Sequence, residues 1–286
     1  MLFRSDTIIT CGAIQSNHAR ATVAAATKLG LKTHLVLRGE KPTTFTGNLL
    51  IDTIYDAKCS FLSPLDFQDH VAFMEQLKVQ YEKSGNLAYI IPIGASNGIG
   101  NFGYVNVFNE ILEQEKKIGV EFDAISCAVG SGGTYSGLFL GNLLAKTTKK
   151  IIGYSVGGNR LDFESKCMHI LEESLKYIQV ENDVEHLLTS EALKIKRGEI
   201  YISDEYQGKG YAQTCEEDIS FIKEIAKLEG FILDPVYTGK TFKGLYNDLA
   251  NDKLSSSNHI LYIHTGGIFG LAAYEQYFSN TDSKHK

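Results

Sequence analysis

A chain of 286 residues, 43% hydrophobic and 22% charged, can bury a large core as one bilobal domain or two smaller ones. Its formal net charge of −6 gives it no electrostatic footprint for nucleic acid or an acidic membrane surface. No apolar run approaches the roughly 18 residues of a membrane helix, residues 1–6 lack the basic start and long apolar stretch of a signal peptide, and the five cysteines (Cys11, Cys59, Cys127, Cys167, Cys215) contain no C-x-x-C pair. The chain therefore reads as a cytoplasmic protein with reduced thiols and no metal site.

Short β-branched runs alternate with helical segments. Residues 6–11 read as a strand, 17–29 as a helix stopped by Gly30, and 32–37 as the next strand. That βαβ order implies parallel pairing with a right-handed crossover. A helix over 67–83 and a strand over 88–93 follow, then a turn-rich stretch and a helix over 102–117. Residues 123–129 read as a strand, and the glycine-rich turn after it opens another helix. Strands are expected at 151–156, 199–203 and 259–264, helices at 163–177 and 215–229, and a last helix after residue 267. The charged tail from Thr281 reads as frayed. This order predicts an α/β architecture with parallel sheets flanked by helices.

Three polar turns fall where such a sheet binds ligands, beyond the carboxyl ends of strands: residues 12–17, 130–134 and 265–267. The middle one, Gly130, Ser131, Gly132, Gly133 and Thr134, joins a strand to a helix N-terminus. Glycines let the backbone close on a ligand, and free N–H groups with the helix dipole attract an anion. It is not a P-loop, since no Gly-Lys-Ser/Thr follows, and Tyr135 occupies the third-glycine place of a dinucleotide fingerprint. A monophosphate fits better than a pyrophosphate, which suggests a phosphorylated cofactor such as pyridoxal phosphate. Taken alone, the loop is equally readable as a structural turn.

The stretches AIQSNHARATVAAATKLG, IPIGASNGIGNFGY, GSGGT, LDPVYTGKTFKGL and HTGG occur in this order. Together they resemble the motifs of the D-cysteine desulfhydrase and 1-aminocyclopropane-1-carboxylate deaminase family, over about residues 6–278 and more weakly between 159 and 208. The resemblance implies a pyridoxal 5'-phosphate enzyme of the tryptophan-synthase β type (fold type II). Its smaller lobe would span residues 6–100 with the Gln-Ser-Asn turn, and its larger lobe 101–286 with the phosphate loop. It also implies a lyase acting on a small amino acid and a homodimer, a state common in the family.

Residue by residue, the resemblance places Gly130, Ser131, Gly132, Gly133 and Thr134 around the cofactor phosphate and Asn17 against the pyridine 3'-oxygen. Gln15 and Ser16 would face the substrate. The Ser16 hydroxyl would meet its carboxylate or help to move a proton, although Ser16 and Asn17 also suit a helix N-cap. Tyr211 and Tyr237 match two active-site tyrosines, able to act as acid or base or to orient a carboxylate. The residues after Tyr211, in GYAQTCEE, depart from the family pattern, and tyrosines are also common packing residues. Thr238 and Thr265 match the desulfhydrase branch. The deaminase branch carries a glutamate at 238, which holds a proton on the ring nitrogen. A neutral hydroxyl makes the ring a weaker electron sink, which suits loss of a thiol better than opening of a cyclopropane. The expected reaction is β-elimination of D-cysteine, with a non-catalytic or truncated cofactor-binding homologue as the alternative and ring-opening deamination as the third reading. His264 reads as a fixing residue rather than a base, and His18 as able to reach the pocket mouth.

The family's cofactor-bearing lysine lies about two dozen residues before its Ser-Asn pair. Counting back from Ser16 runs past Met1, so the sequence reads as the family without its first segment. An exposed sheet edge or apolar patch on the larger lobe is the expected consequence. Lys209 and Lys240 flank the two tyrosines, but Lys240 matches a motif lysine that coexists with the cofactor-bearing one.

Overall fold

The computed structural model describes residues 5–178 and 197–278, so the tail from Thr281 lies outside the described residues. The chain divides into two compact units, one formed by Met1–Ala95 with Phe269–Lys286 and the other by Ser96–Ile268.

In the first unit β1 (Thr7–Ala13), α1 (Asn17–Lys28), β2 (Lys32–Arg38), α2 (Gly47–Ile54), β3 (Lys58–Leu62), α3 (His70–Lys83) and β4 (Ala88–Ile90) follow one another. The strands pair in parallel in the order β3-β2-β1-β4. β1 and β2 are buried on both faces, as parallel strands require. Ile9, Cys11 and Val36 pack with Phe67, Met74 and Leu77. Leu35 and Leu37 pack with Ala19, Val23 and Leu49 in a separate cluster. The Ala-rich stretch after Ser16 forms α1 because its only β-branched residues are Thr22, Val23 and Thr27 among five alanines, and Gly30 at φ +73° lets the chain leave it.

The second unit contains α4 (Phe102–Ile118), β5 (Ala124–Val129), α5 (Gly133–Leu144), β6 (Lys150–Ser155), α6 (Arg160–Leu175), β7 (Tyr201–Ser203), α7 (Glu216–Glu229), α8 (Thr238–Ala250) and β8 (Ile260–Tyr262). Its strands are again parallel, in the order β7-β6-β5-β8. Ile125, Cys127 and Val129 of β5 pack under Phe108, Tyr135, Leu138 and Phe163. Both sheets therefore follow one scheme, in which the first strand has the second on one side and the last on the other. Strand order reverses beside β1 and beside β5, and crevices at strand carboxyl ends form at such switch points. The turns after β1, β5 and β8 lie there.

α2 and α8 had no counterpart in the sequence reading. α2 is eight residues long and begins Gly-Asn, and α8 carries Gly239 and Gly244, so local propensity hides both. After β8 the chain forms 3-10 turns over Ile268–Tyr277 instead of the expected α-helix. Gly266 and Gly267 both have positive φ, and Gly270 follows closely, so nothing sets up an α-helical start.

Candidate functional site

In the turn after β1, Ser16 is the N-cap of α1, its Oγ accepting from the Ala19 N–H at 3.1 Å. A Cβ on Gly12 would stand 2.5 Å from that oxygen, so only glycine admits the serine here. The Ser16 hydroxyl still has its own hydrogen to donate while it caps. Gln15, expected to face substrate, has both ends of its amide occupied: Nε2 donates to Thr46 O at 3.0 Å, and Oε1 accepts from the Asn48 N–H at 2.8 Å. It thereby supplies the cap that Thr46 does not give α2. Asn17 is the first residue of α1, and its Oδ1 accepts from Asn48 Nδ2 at 2.9 Å. Asn48, fully buried, also donates to Gln15 O and accepts from Arg20 Nε. It holds the whole turn, and nothing in the sequence marked it.

His18 turns back onto β1. Thr10 Oγ1 donates to Ile91 O, so it receives the Nε2–H of His18 at 2.8 Å. Burial pulls the His18 imidazole down to about 4. Burial, aided by Lys58, does the same to His34, which bonds Tyr81 and Ser60. Asp52, fully buried with neither carboxylate oxygen hydrogen-bonded among the described residues, is pushed up to about 7 by burial against the opposing charge of Arg20. These shifts predict a pH dependence of stability. Between pH 4 and 6.5 the two histidines take up protons on unfolding, whereas Asp52 loses one. The unfolded state thus binds one more proton, and stability rises with pH by about 1.4 kcal/mol per unit. Urea unfolding should therefore show about 1 kcal/mol less stability at pH 5 than at pH 6.5, because the slope flattens as the unfolded histidines lose their protons near pH 6.5. A flat profile would mean that the histidines are not held neutral.

In the turn after β5, Gly132 stands at the N-cap of α5 with φ +95°. Its carbonyl accepts from the Ser136 N–H at 2.9 Å to start the helix, whose first turn carries no acidic residue. The first N–H groups of such a helix have no partner within it. Ser96 closes the loop from outside, donating to Ser131 Oγ at 2.6 Å and accepting from the Gly133 N–H at 3.2 Å. Thr134 is hydrogen-bonded to Tyr104. A Cβ on Gly130 would stand 3.0 Å from the Tyr237 ring, so the loop passes directly against that tyrosine. Backbone N–H groups, two hydroxyls and a helix N-terminus free of acid are the kind of donor set that attracts an anion.

The structure brings Tyr211 and Tyr237 together, with hydroxyls 2.7 Å apart and rings edge-on at 5.8 Å. One hydroxyl donates to the other. Asp234 sets Tyr237 in place. Its Oδ1 accepts from the N–H groups of Val236 and Tyr237, and its Oδ2 from the Thr238 N–H and Oγ1, all at 2.7–2.8 Å. It thus caps α8 from three residues ahead of Tyr237. The Thr238 hydroxyl is buried, with its hydrogen on Asp234 and its oxygen accepting from the Asp234 N–H. Thr265 is exposed. Beside it His264 accepts from the Gly266 N–H at Nδ1 and therefore donates from Nε2 to Ile232 O. The imidazole fixes the turn.

Lys240 is 2% exposed, and Nζ donates to three carbonyl oxygens: Gln207 at 2.8 Å, Gly210 at 2.5 Å and Val156 at 3.3 Å. Burial draws its ammonium below the ordinary lysine value against the charges of Asp218, Cys215 and Asp234. It anchors the segment that delivers Tyr211. Asp248 anchors the same segment further along α8, accepting from Tyr206 at 2.6 Å and from Tyr154 at 2.7 Å. Lys209 is exposed. No described helix is long and apolar enough to cross a membrane.

Residues 3–266 match the family model described as pyridoxal-phosphate dependent enzyme. A protein of Thermotoga maritima named putative 1-aminocyclopropane-1-carboxylate deaminase is 40% identical over 272 residues, covering 94% of this chain and 80% of its own length. A bifunctional D-cysteine desulfhydrase/1-aminocyclopropane-1-carboxylate deaminase of Arabidopsis thaliana is 36% identical over 277 residues, 93% of this chain and 65% of the relative. Among solved structures, an ACC deaminase homologue superposes with a TM-score of 0.82 at 33% identity, over 96% of this chain and 78% of that one. A T.th. threonine deaminase shares the fold alone, with a TM-score of 0.56 at 17% identity over 91% of this chain and 77% of that one.

Proposed function

The chain belongs to the family of pyridoxal-phosphate dependent enzymes, and from that premise we propose that it is a lyase that eliminates thiol from D-cysteine. With one water the products are pyruvate, ammonia and hydrogen sulfide. The donor set of the 130–134 loop suits the cofactor's phosphate, and Asn17 would meet the ring oxygen. When bound, the cofactor supplies an electron sink for the substrate's α-carbon. The Ser16 hydroxyl, capping α1 through its oxygen, orients the substrate carboxylate with its hydrogen. The Tyr211 and Tyr237 pair holds a proton at Oη that can pass to the leaving sulfur.

The observation that favours elimination over ring opening is the group at 238. Thr238 offers a neutral hydroxyl tied to Asp234, where the deaminase branch carries a carboxylate. A weaker sink suffices when the leaving group is a thiol. Ring-opening deamination is the second reading, supported by the name of the Thermotoga maritima relative.

Assays of the purified, cofactor-loaded protein separate the two. Hydrogen sulfide should form from D-cysteine at least about tenfold faster than 2-oxobutanoate forms from 1-aminocyclopropane-1-carboxylate, a difference of about 1.4 kcal/mol in barrier. The reverse order would assign the protein to ring opening. Cofactor binding with neither product would leave a cofactor-binding homologue.

A further inference from the structure

Two side chains to which the sequence analysis gave no role, Arg20 within the first motif stretch and Asn48 outside every motif, share one chain of hydrogen bonds with Asn17. Arg20 Nε donates to Asn48 Oδ1 at 2.8 Å. Asn48 Nδ2 donates to Gln15 O and to Asn17 Oδ1, each at 2.9 Å. The direction of this chain is determined at both ends. A guanidinium has only donors, so the Asn48 atom facing it is the oxygen, and a backbone carbonyl has only acceptor pairs, so the atom facing Gln15 O is the nitrogen. Asn17 must then turn its own oxygen toward Asn48. Its two amide hydrogens are left pointing elsewhere and meet no acceptor among the described residues.

Both partners are held where the relay needs them. Asn48 is fully buried in the first turn of α2 and pinned by its own N–H on Gln15 Oε1. Arg20 carries its guanidinium 5.2 Å from the centre of the Phe269 ring. Asp52, one turn along α2 from Asn48 and equally buried, supplies a carboxyl without a hydrogen-bond partner among the described residues on the same helix face. Stability of the turn does not demand this polarity. Gln15 already caps α2, and Ser16 already caps α1.

We infer that Arg20 and Asn48 are positioning residues that fix the Asn17 amide with its N–H groups outward, as a donor to an anionic ring oxygen. The inference rests on the reading of Asn17 given above. A positive charge at the head of the relay polarises each amide in turn, so the hydrogens offered by Asn17 are stronger donors than those of an isolated amide. A donor at that point favours the ionised ring oxygen over its protonated form.

The test uses the 286-residue chain with added pyridoxal phosphate, reading cofactor affinity and the pH midpoint of the bound ring oxygen from absorbance. Asn17→Ala should weaken binding about tenfold and raise the midpoint by about one unit. Asn48→Asp keeps size and shape but offers Asn17 only acceptors, so the Asn17 amide should flip and present its oxygen. Its midpoint should rise further than that of Asn48→Ala. A purely structural Asn48 gives the opposite ranking, because aspartate fills the site better than alanine, and that ranking overturns the relay. Arg20→Lys, which keeps the charge and loses the Nε donor, should shift the midpoint the same way by less, and it carries the test if the Asn48 variants fail to fold. An unshifted Arg20→Lys then overturns the relay. A response of Asn17→Ala without one from Asn48→Asp removes the relay and leaves the role of Asn17 standing. An unchanged Asn17→Ala removes both.

Discussion

Replacing Gly132 with valine is expected to lower the affinity for pyridoxal phosphate about 100-fold or more while the protein stays folded. Gly132 sits at φ +95°, where a residue with a Cβ pays roughly 1–2 kcal/mol and a β-branched one more. Its Cβ would stand 3.3 Å from Cys167 Sγ and from Ile170 Cδ1, atoms packed under the loop. The cheapest relief is for the loop to change its backbone angles. That change turns the first N–H groups of α5 away from a common point, and each 1.4 kcal/mol so lost is about tenfold in affinity. Gly132→Ala, without the branch, should lose about tenfold. Equilibrium dialysis against the cofactor gives the affinities, and circular dichroism checks the fold. Wild-type affinity in the valine variant would move the phosphate to the turn at Thr265, Gly266 and Gly267.

Much of this loop could be read in the sequence because its signals are local. The β5 run is apolar but for Ser126, three glycines lie among the next four residues, and α5 starts at the last of them, so one window of residues holds strand, turn and helix. β1, α1 and β2 were legible for the same reason. α8 was not, because the carboxylate that starts it stands at Asp234, ahead of a proline, and because two glycines interrupt its pattern. The partners of the turn were hidden by distance. Asn48 reaches Asn17 across 31 residues, and Lys240 reaches Gln207 and Gly210 across 33 and 30. No periodicity records such contacts. Lys240 could be seen in its motif, but only burial and three carbonyl partners show that its amine works on the backbone. The strand orders, which put three polar turns at switch points, also rest on long-range pairing that local pattern does not encode.

Lys240→Met should therefore damage the protein in a way that Tyr211→Phe does not. Methionine fills the same space but leaves the carbonyls of Val156, Gln207 and Gly210 without the donor they share. A buried acceptor left unpaired costs about 1–3 kcal/mol, and part of this is recovered as the 207–210 segment moves out to water, so a net loss of about 3–5 kcal/mol is expected. Tyr211 leaves with that segment and its 2.7 Å bond to Tyr237 is broken. If the pair moves a proton, turnover should drop about 10²–10⁴-fold in both variants. Hydrogen exchange separates them: amides of residues 204–211 should exchange much faster in Lys240→Met and at the wild-type rate in Tyr211→Phe. Borohydride reduction of the cofactor-treated wild type should place no pyridoxyl group on Lys240, because all three hydrogens of its ammonium are held by carbonyl oxygens. An adduct at Lys240, or unchanged exchange in Lys240→Met, would show that the amine is not committed to the backbone and that some other contact holds Tyr211 against Tyr237.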